Sequence, residues 1–262
     1  MMQEGFADTV FGRIHFLEAG TGSTLLLLHS NGGSAYQYSP VIEQLASTRR
    51  VIAWDMPGHG DSDPITGHCR IEAYAERLVA FMDAQGIETA DILGCSVGGS
   101  ICTAVAVRHP QRVRFPLIVE TPARSEEAWR KRWSAIEENF AQPLQSSEQI
   151  RARIHEPNQQ LLQRWNIDRS KAGAWTMMDV MWAIREYDIR ADIRKLSQKA
   201  LLLFGERGAV GDGIDMFKTG LPQAALIMMA RCGHFPMLDD PEEFVRIVDE
   251  FLRAVPESFD SR

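Results

Sequence analysis

The sequence predicts an α/β chain, a mostly parallel sheet covered by helices on both faces and interrupted once by a helical insertion. Apolar runs of strand length alternate with helical patterns. The alternation stops across one long, charged, tryptophan-rich stretch, and then it resumes. In chain order, Thr9–Ala19, with Gly12 inside it, reads as an opening hairpin. Thr24–His29 is an apolar run between Gly22 and Gly32 and fits a strand buried on both faces. Val41–Leu45 belongs to a helix, and Arg50–Trp54 is the next strand, closed by Pro57 and Gly58. Ile71–Gln85 places Tyr74, Leu78, Phe81 and Met82 at helical spacing, with Gly86 positioned to end the helix. Ala90–Cys95 is a strand, Gly98–His109 a small-residue helix that stops before Pro110, and Val113–Glu120 another strand.

From Thr121 to Leu196 the pattern is helical, and five of the six tryptophans fall there: Trp129, Trp133, Trp165, Trp175 and Trp182. The rhythm returns with strand Ala200–Phe204, a helix near Asp212–Thr219, strand Ala225–Met229 and helix Pro241–Val255. The expected division is a core domain of residues 1–121 and 197–262, with residues 122–196 as an inserted lid.

A chain of 262 residues, 45% hydrophobic, can bury a full core. The net charge of −7 gives no electrostatic footprint for nucleic acid or an anionic membrane surface. No apolar run approaches the roughly 20 residues that span a bilayer. The N-terminus carries Glu4 and Asp8 and lacks a basic signal-peptide region, so the expected location is cytoplasmic. Cys69, Cys95, Cys102 and Cys232 form no C-x-x-C pair and read as reduced structural thiols. Nothing implies a cofactor or metal ion, and the expected partner is a small-molecule substrate.

The chemical signal is Gly94-Cys95-Ser96-Val97-Gly98, a G-x-S-x-G between a predicted strand and a predicted helix. A sharp turn there pushes the Ser96 hydroxyl above the sheet edge, and the helix N-terminus behind it favours developing negative charge. A hydroxyl needs a base whose pKa lies near the working pH. His234, in the turn between the last strand and the last helix, lies at the same sheet edge; His15, His68, His109 and His155 have no such setting. The glycine-rich stretch His29-Ser30-Asn31-Gly32-Gly33 follows another strand on that edge. The backbone amides of Asn31 and Val97 are the candidate oxyanion donors.

Together with Asp55-Met56-Pro57-Gly58-His59-Gly60-Asp61-Ser62, these segments resemble the α/β-hydrolase superfamily in its lidded, single-domain form, across about residues 25–240. The resemblance implies an eight-stranded sheet and a serine–histidine–acid triad, and makes the Asp55–Ser62 turn structural. One departure stands out. Where most members carry the acid in Leu-Leu-x-Gly-Glu-x-Asp, this chain reads Leu202-Leu203-Phe204-Gly205-Glu206-Arg207-Gly208. Glu120, ending an apolar strand 24 residues after Ser96, is the leading candidate for the displaced acid. This placement is similar to that in a branch of the haloalkane dehalogenases. Asp212 is the next choice and Glu206 the third. Dehalogenation itself is not implied, because Ser96 stands where that chemistry uses an aspartate.

In the insertion, Trp175, Met178 and Trp182 share one helix face and are the candidate substrate pocket. Arg124, Arg130 and Arg185 are candidate ligands for a substrate carboxylate. The expected reaction is two-step acyl transfer on a small or medium apolar or aromatic ester, lactone or thioester. Two alternatives use the same scaffold: hydrolysis of a C–C bond in a β-diketone or dienoate-type compound, and a ligand-binding, receptor-like protein with a vestigial triad.

Overall fold

The computed structural model describes residues 1–155, 157–210 and 213–254. Eight strands form one sheet: β1 (Gln3–Thr9), β2 (Gly12–Ala19), β3 (Thr24–Leu28), β4 (Arg50–Trp54), β5 (Ala90–Cys95), β6 (Val113–Val119), β7 (Leu201–Gly205) and β8 (Ala225–Met229). Their order across the sheet is β1-β2-β4-β3-β5-β6-β7-β8. β2 pairs antiparallel with both of its neighbours, and every other pairing is parallel.

Side-chain alternation explains why the central strands are mostly apolar, interrupted chiefly by Arg50 at the start of β4 and by the Asp91–Arg114 ion pair between β5 and β6. Leu26, Leu28, Ile52, Ile92, Ile118 and Leu202 enter one core layer. Leu25, Leu27, Val51, Leu93, Leu117 and Leu201 enter the other. Both faces are buried, so no polar position is tolerated in β3 beyond Thr24. The opening hairpin begins six residues earlier than the pattern suggested. β1 is a mostly exposed edge strand of sequence QEGFADT, with little apolar patterning to reveal it.

The helices are α1 (Ile42–Leu45), α2 (Ile71–Ala84), α3 (Val97–Arg108), α4 (Glu126–Phe140), α5 (Ser147–Arg151), α6 (Gln159–Glu186), α7 (Ile189–Asp192), α8 (Ile214–Gly220), α9 (Pro236–Asp239) and α10 (Pro241–Arg253). α3 is buried from Val97 to Ala106, and small side chains let it sit close against β3 and β5. A Cβ on Gly98 would stand 2.2 Å from the Leu28 carbonyl oxygen, and one on Gly94 would stand 2.1 Å from that of Gly98.

The insertion between β6 and β7 is helical, as its composition suggested. Ser125 caps α4, a Ser146–Gln149 capping box opens α5, and Asn158 caps α6. Gly173, at φ 74° and ψ 157°, breaks α6 into two helices. The second half buries Met177, Val180, Met181 and Ile184, the i, i+3, i+4, i+7 face of an amphipathic helix. Among the described residues no helix is long and apolar enough to cross a membrane.

Candidate active site

Two adjacent parallel strands end side by side. β5 and β6 pair with Cys95 opposite Val119, so the next residues, Ser96 and Glu120, leave the sheet together. Both adopt left-handed backbone, at φ 58° and φ 46°. That region is costly for residues other than glycine and is retained where surrounding structure enforces it. Here the Ser96 amide donates to the Val119 carbonyl at 2.9 Å and the Glu120 amide to the Leu203 carbonyl at 3.0 Å. Ser96 is also the N-cap of α3. The first N–H of that helix, on Val97, therefore has no acceptor within the helix.

His234 arrives from the loop after β8. That loop is fixed at several points. The Gly233 amide donates to Asp239 Oδ2 at 2.6 Å, the Arg207 amide to the Cys232 carbonyl at 2.9 Å, and the Arg231 amide to Glu206 Oε2 at 3.1 Å. Cys95 Sγ lies 3.8 Å from the His234 carbonyl oxygen, which seats the histidine beside the serine turn. The His234 Nδ1 donates to Glu120 Oε2 at 3.0 Å. The Gly205 amide donates to the other carboxylate oxygen at 2.7 Å. Glu120 is fully buried, while Ser96 and His234 each retain 9% exposure. Burial pushes the His234 pKa below its ordinary value, and Glu120 opposes part of that shift. The ring is thus neutral at neutral pH, with Nδ1–H committed to Glu120 and the Nε2 lone pair left over.

Gly208 explains why the carboxylate can sit here. A Cβ at position 208 would stand 2.1 Å from Glu120 Oε1, 2.5 Å from Cδ and 2.6 Å from Oε2. Its backbone is not left-handed, so space, not conformation, requires glycine. The acid absent from the end of β7 and the acid present at the end of β6 occupy the same volume. Of the other candidates, Glu206 is spent on the Arg231 turn, and Asp212 lies outside the described residues.

The loop carrying Asn31 is held by Gln37, whose Oε1 accepts from the Ser30 amide at 3.0 Å and the Ser30 hydroxyl at 2.7 Å. The Asn31 side chain donates from Nδ2 to the Met177 carbonyl at 2.8 Å, tying this loop to the lid. Asp55 is structural. Its oxygens take His15 Nδ1 at 2.7 Å and the amides of Ala35 and Asp61 at 2.6 and 2.8 Å. Among the described residues, His15, Asp55 and Asp61 are the one acidic and histidine cluster with metal-ligand spacing; these hydrogen bonds already engage Asp55 as the knot of its turn.

The lid residues require correction. Trp175 and Trp182 are 59% and 41% exposed, and with Met178 they line an open groove of about 410 Å³ shared with Ala141, Ala174 and Asp179. The face of α6 that reaches the Asn31 loop is a different one, carried by Met177. Met177 supplies the carbonyl that Asn31 grips, and its Sδ lies 2.8 Å from where a Cβ on Gly32 would stand. The tryptophan stripe is about 140° out of phase with the buried face. The large rings pack on one another instead: Trp133 on Trp182 at 4.3 Å between centroids, and Trp129 on Trp133 at 6.4 Å.

The expected arginines are likewise occupied or exposed. Arg185 pairs with Glu126 at 2.6 Å, Arg124 lies over the Trp129 ring and donates to the Ala209 carbonyl, and Arg130 is exposed. Two arginines that sequence reasoning passed over, Arg153 and Arg169, stand beside the His234 and Gly32 loops. No sequence motif marks them, because their burial depends on lid packing.

Residues 23–241 match the family model described as the alpha/beta hydrolase fold. Among sequence relatives, the chain is 27% identical over 259 residues to a 2-hydroxymuconate semialdehyde hydrolase of Pseudomonas sp. (strain CF600), covering 92% of this chain and 90% of that protein. It is also 27% identical over 247 residues to a pimeloyl-[acyl-carrier protein] methyl ester esterase of Neisseria meningitidis, covering 87% and 93%. Among solved structures, the enol-lactonase from Burkholderia xenovorans LB400 superposes with a TM-score of 0.81 at 21% identity, covering 95% of this chain and all of that one. That last likeness speaks to fold.

Proposed function

The chain belongs to the alpha/beta hydrolase fold family, and on that premise we propose that it is a serine hydrolase cleaving a small or medium ester, lactone or thioester through an acyl-enzyme on Ser96. The observation that carries the proposal is the arrangement of three chain segments. The Ser96 turn and Glu120 leave neighbouring strands together, and His234 is hydrogen-bonded to Glu120 at 3.0 Å beside that turn. In this reading Ser96 attacks the carbonyl carbon while His234 Nε2 takes its proton. The carbonyl electrons move to oxygen, and the amides of Val97 and Asn31 stabilise the oxyanion. The imidazolium formed is stabilised by Glu120 and gives its proton to the departing alcohol or thiol. Water, deprotonated by the same ring, then releases the carboxylic acid and frees Ser96. The esterase relative supports the ester reading.

A second reading is supported by the 2-hydroxymuconate semialdehyde hydrolase relative, which spans nearly the whole chain: the same residues acting on a carbon–carbon bond. A panel of 4-nitrophenyl esters, acyl-lactones, thioesters and vinylogous diketones separates the two. Turnover of the esters, abolished by Ser96→Ala and His234→Ala, supports the first reading. Turnover of the diketones alone supports the second. A receptor-like protein would cleave none and take up no fluorophosphonate at Ser96.

A further inference from the structure

Two guanidinium groups in the lid, one on the buried Arg169 and one on the half-buried Arg153, have no carboxylate partner among the described residues. Arg169, on α6, is 1% exposed. Its Nη2 donates to the carbonyls of Asn139 and Gln142 at 2.6 and 2.8 Å, which holds the end of α4. Its Nε and Nη1 have no hydrogen-bond partner among the described residues. Arg153 follows α5, and its Nη1 is buried with no partner among the described residues. Both guanidinium carbons lie over the Phe140 ring, at 5.6 and 5.9 Å from its centroid. Arg153 also lies 5.3 Å from the centroids of Trp165 and Phe235. By contrast, Arg164 and Arg185 of the same lid are paired with Asp168 and Glu126.

The two groups share the Phe140 ring, and each also lies next to a loop of the site. Arg153 is beside Phe235, whose ring is 4.9 Å from that of His234, and its carbonyl oxygen is 2.9 Å from where a Cβ on Gly233 would stand. Arg169 Nη1 is 3.4 Å from the corresponding position on Gly32, in the Asn31 loop. A buried cation is costly unless it is paired and hydrogen-bonded. The ring contacts offset part of this, at about 0.5–2 kcal/mol each, but an aromatic face does not replace a hydrogen-bond acceptor for an N–H in the guanidinium plane. Burial brings both guanidinium pKa values down to about 10, so both remain charged at neutral pH.

One unpartnered Nη1 from each arginine, the two gathered about one aromatic ring, fits a planar group with two anionic oxygens. We infer that Arg153 and Arg169 form a carboxylate subsite, so that the substrate is an acyl compound carrying a second, free carboxylate held under the lid. This rests on the serine hydrolase reading and names the substrate class for that same site.

The test compares 4-nitrophenyl monoesters of adipic and suberic acid with 4-nitrophenyl hexanoate and octanoate, using wild type, Arg153→Met and Arg169→Lys. Active sites are counted by fluorophosphonate titration, and folding is checked by Tm. In parallel, adipate, hexanoate methyl ester and hexyl phosphate are titrated calorimetrically into the Ser96→Ala protein. The expected results are a wild-type preference for the anionic ester of at least tenfold in kcat/KM, a loss of at least tenfold in that ratio for Arg153→Met, partial retention by Arg169→Lys, and calorimetric binding of adipate alone. A wild type that prefers the neutral esters, or a folded and titratable Arg153→Met enzyme with an unchanged ratio, overturns the subsite. Binding of hexyl phosphate without adipate overturns the carboxylate assignment. If no ester is cleaved and no fluorophosphonate is taken up, the hydrolase reading fails, and adipate binding still decides the subsite.

Discussion

Exchanging the acid between Glu120 and Gly208 probes the site most deeply. Glu120→Gln preserves shape but not chemistry. Its side chain must face two donors, the Gly205 amide and His234 Nδ1–H, and it has one oxygen to offer them. Either a buried N–H loses its acceptor or His234 adopts the wrong tautomer. Loss of a charged hydrogen bond costs about 1.5–3 kcal/mol, which is a factor of roughly 10–150 in rate. The tautomer penalty raises the ceiling to about 10⁴ in kcat. Gly208→Asp alone forces its Cβ to within 2.1 Å of Glu120 Oε1. The resulting overpacking of about 1–3 kcal/mol lowers Tm by about 2–12 °C. Combining Gly208→Asp with Glu120→Gly vacates that volume and returns a carboxylate to His234. The double variant is expected to be at least tenfold more active than Glu120→Gly, a coupling of about 1.4 kcal/mol. The assay is kcat on a 4-nitrophenyl ester, normalised to titrated active sites. A Glu120→Gln enzyme retaining more than half its kcat, or strictly additive effects around the cycle, would refute the reasoning.

Further expectations concern the elbow, the base and the core. Ser96→Ala and His234→Ala should each lower kcat by about 10⁶, with the double variant little worse than either alone, since the residues act as a unit; single-turnover kinetics measures this. Because His234 must be neutral to act and burial lowers its pKa, the acidic limb of kcat/KM should fall below pH 6.5, the ordinary histidine value. Removing the raising influence of Glu120 in Glu120→Gln should move that limb lower still, and a shift upward would contradict the sign. Ser96→Gly should be more stable than Ser96→Ala by about 1 kcal/mol, or about 2–4 °C in Tm, because glycine accepts φ 58° freely. Asp55→Asn, at a buried carboxylate paired with His15, should destabilise by about 3–5 kcal/mol in urea unfolding.

Much of this was legible in the sequence, for identifiable reasons. Strands buried on both faces announce themselves as short, largely apolar runs, so β3 to β7 fell within a residue or two of their predicted places, as did β8, an apolar run only partly buried. The serine turn and the histidine loop were legible because strained turns at sheet edges demand glycine. The Glu120–His234 pairing was legible because a glutamate closing an apolar strand needs a partner, and Gly208 marked where the usual acid was missing. The polar edge strand β1 lacked a periodic signal. The tryptophans misled because helical spacing shows that residues share a face without showing which way it turns. Arg153 and Arg169 look like any surface arginine until α4, α5 and α6 pack around them.

The central claim is that Ser96 is a nucleophile driven by His234 and Glu120. Intact-mass analysis and peptide mapping after treatment with a fluorophosphonate measure this directly. One adduct per chain is expected, on Ser96, absent in Ser96→Ala and formed far more slowly in His234→Ala and Glu120→Gln. An adduct on another residue, or labelling of Ser96 at an equal rate without His234, would contradict it.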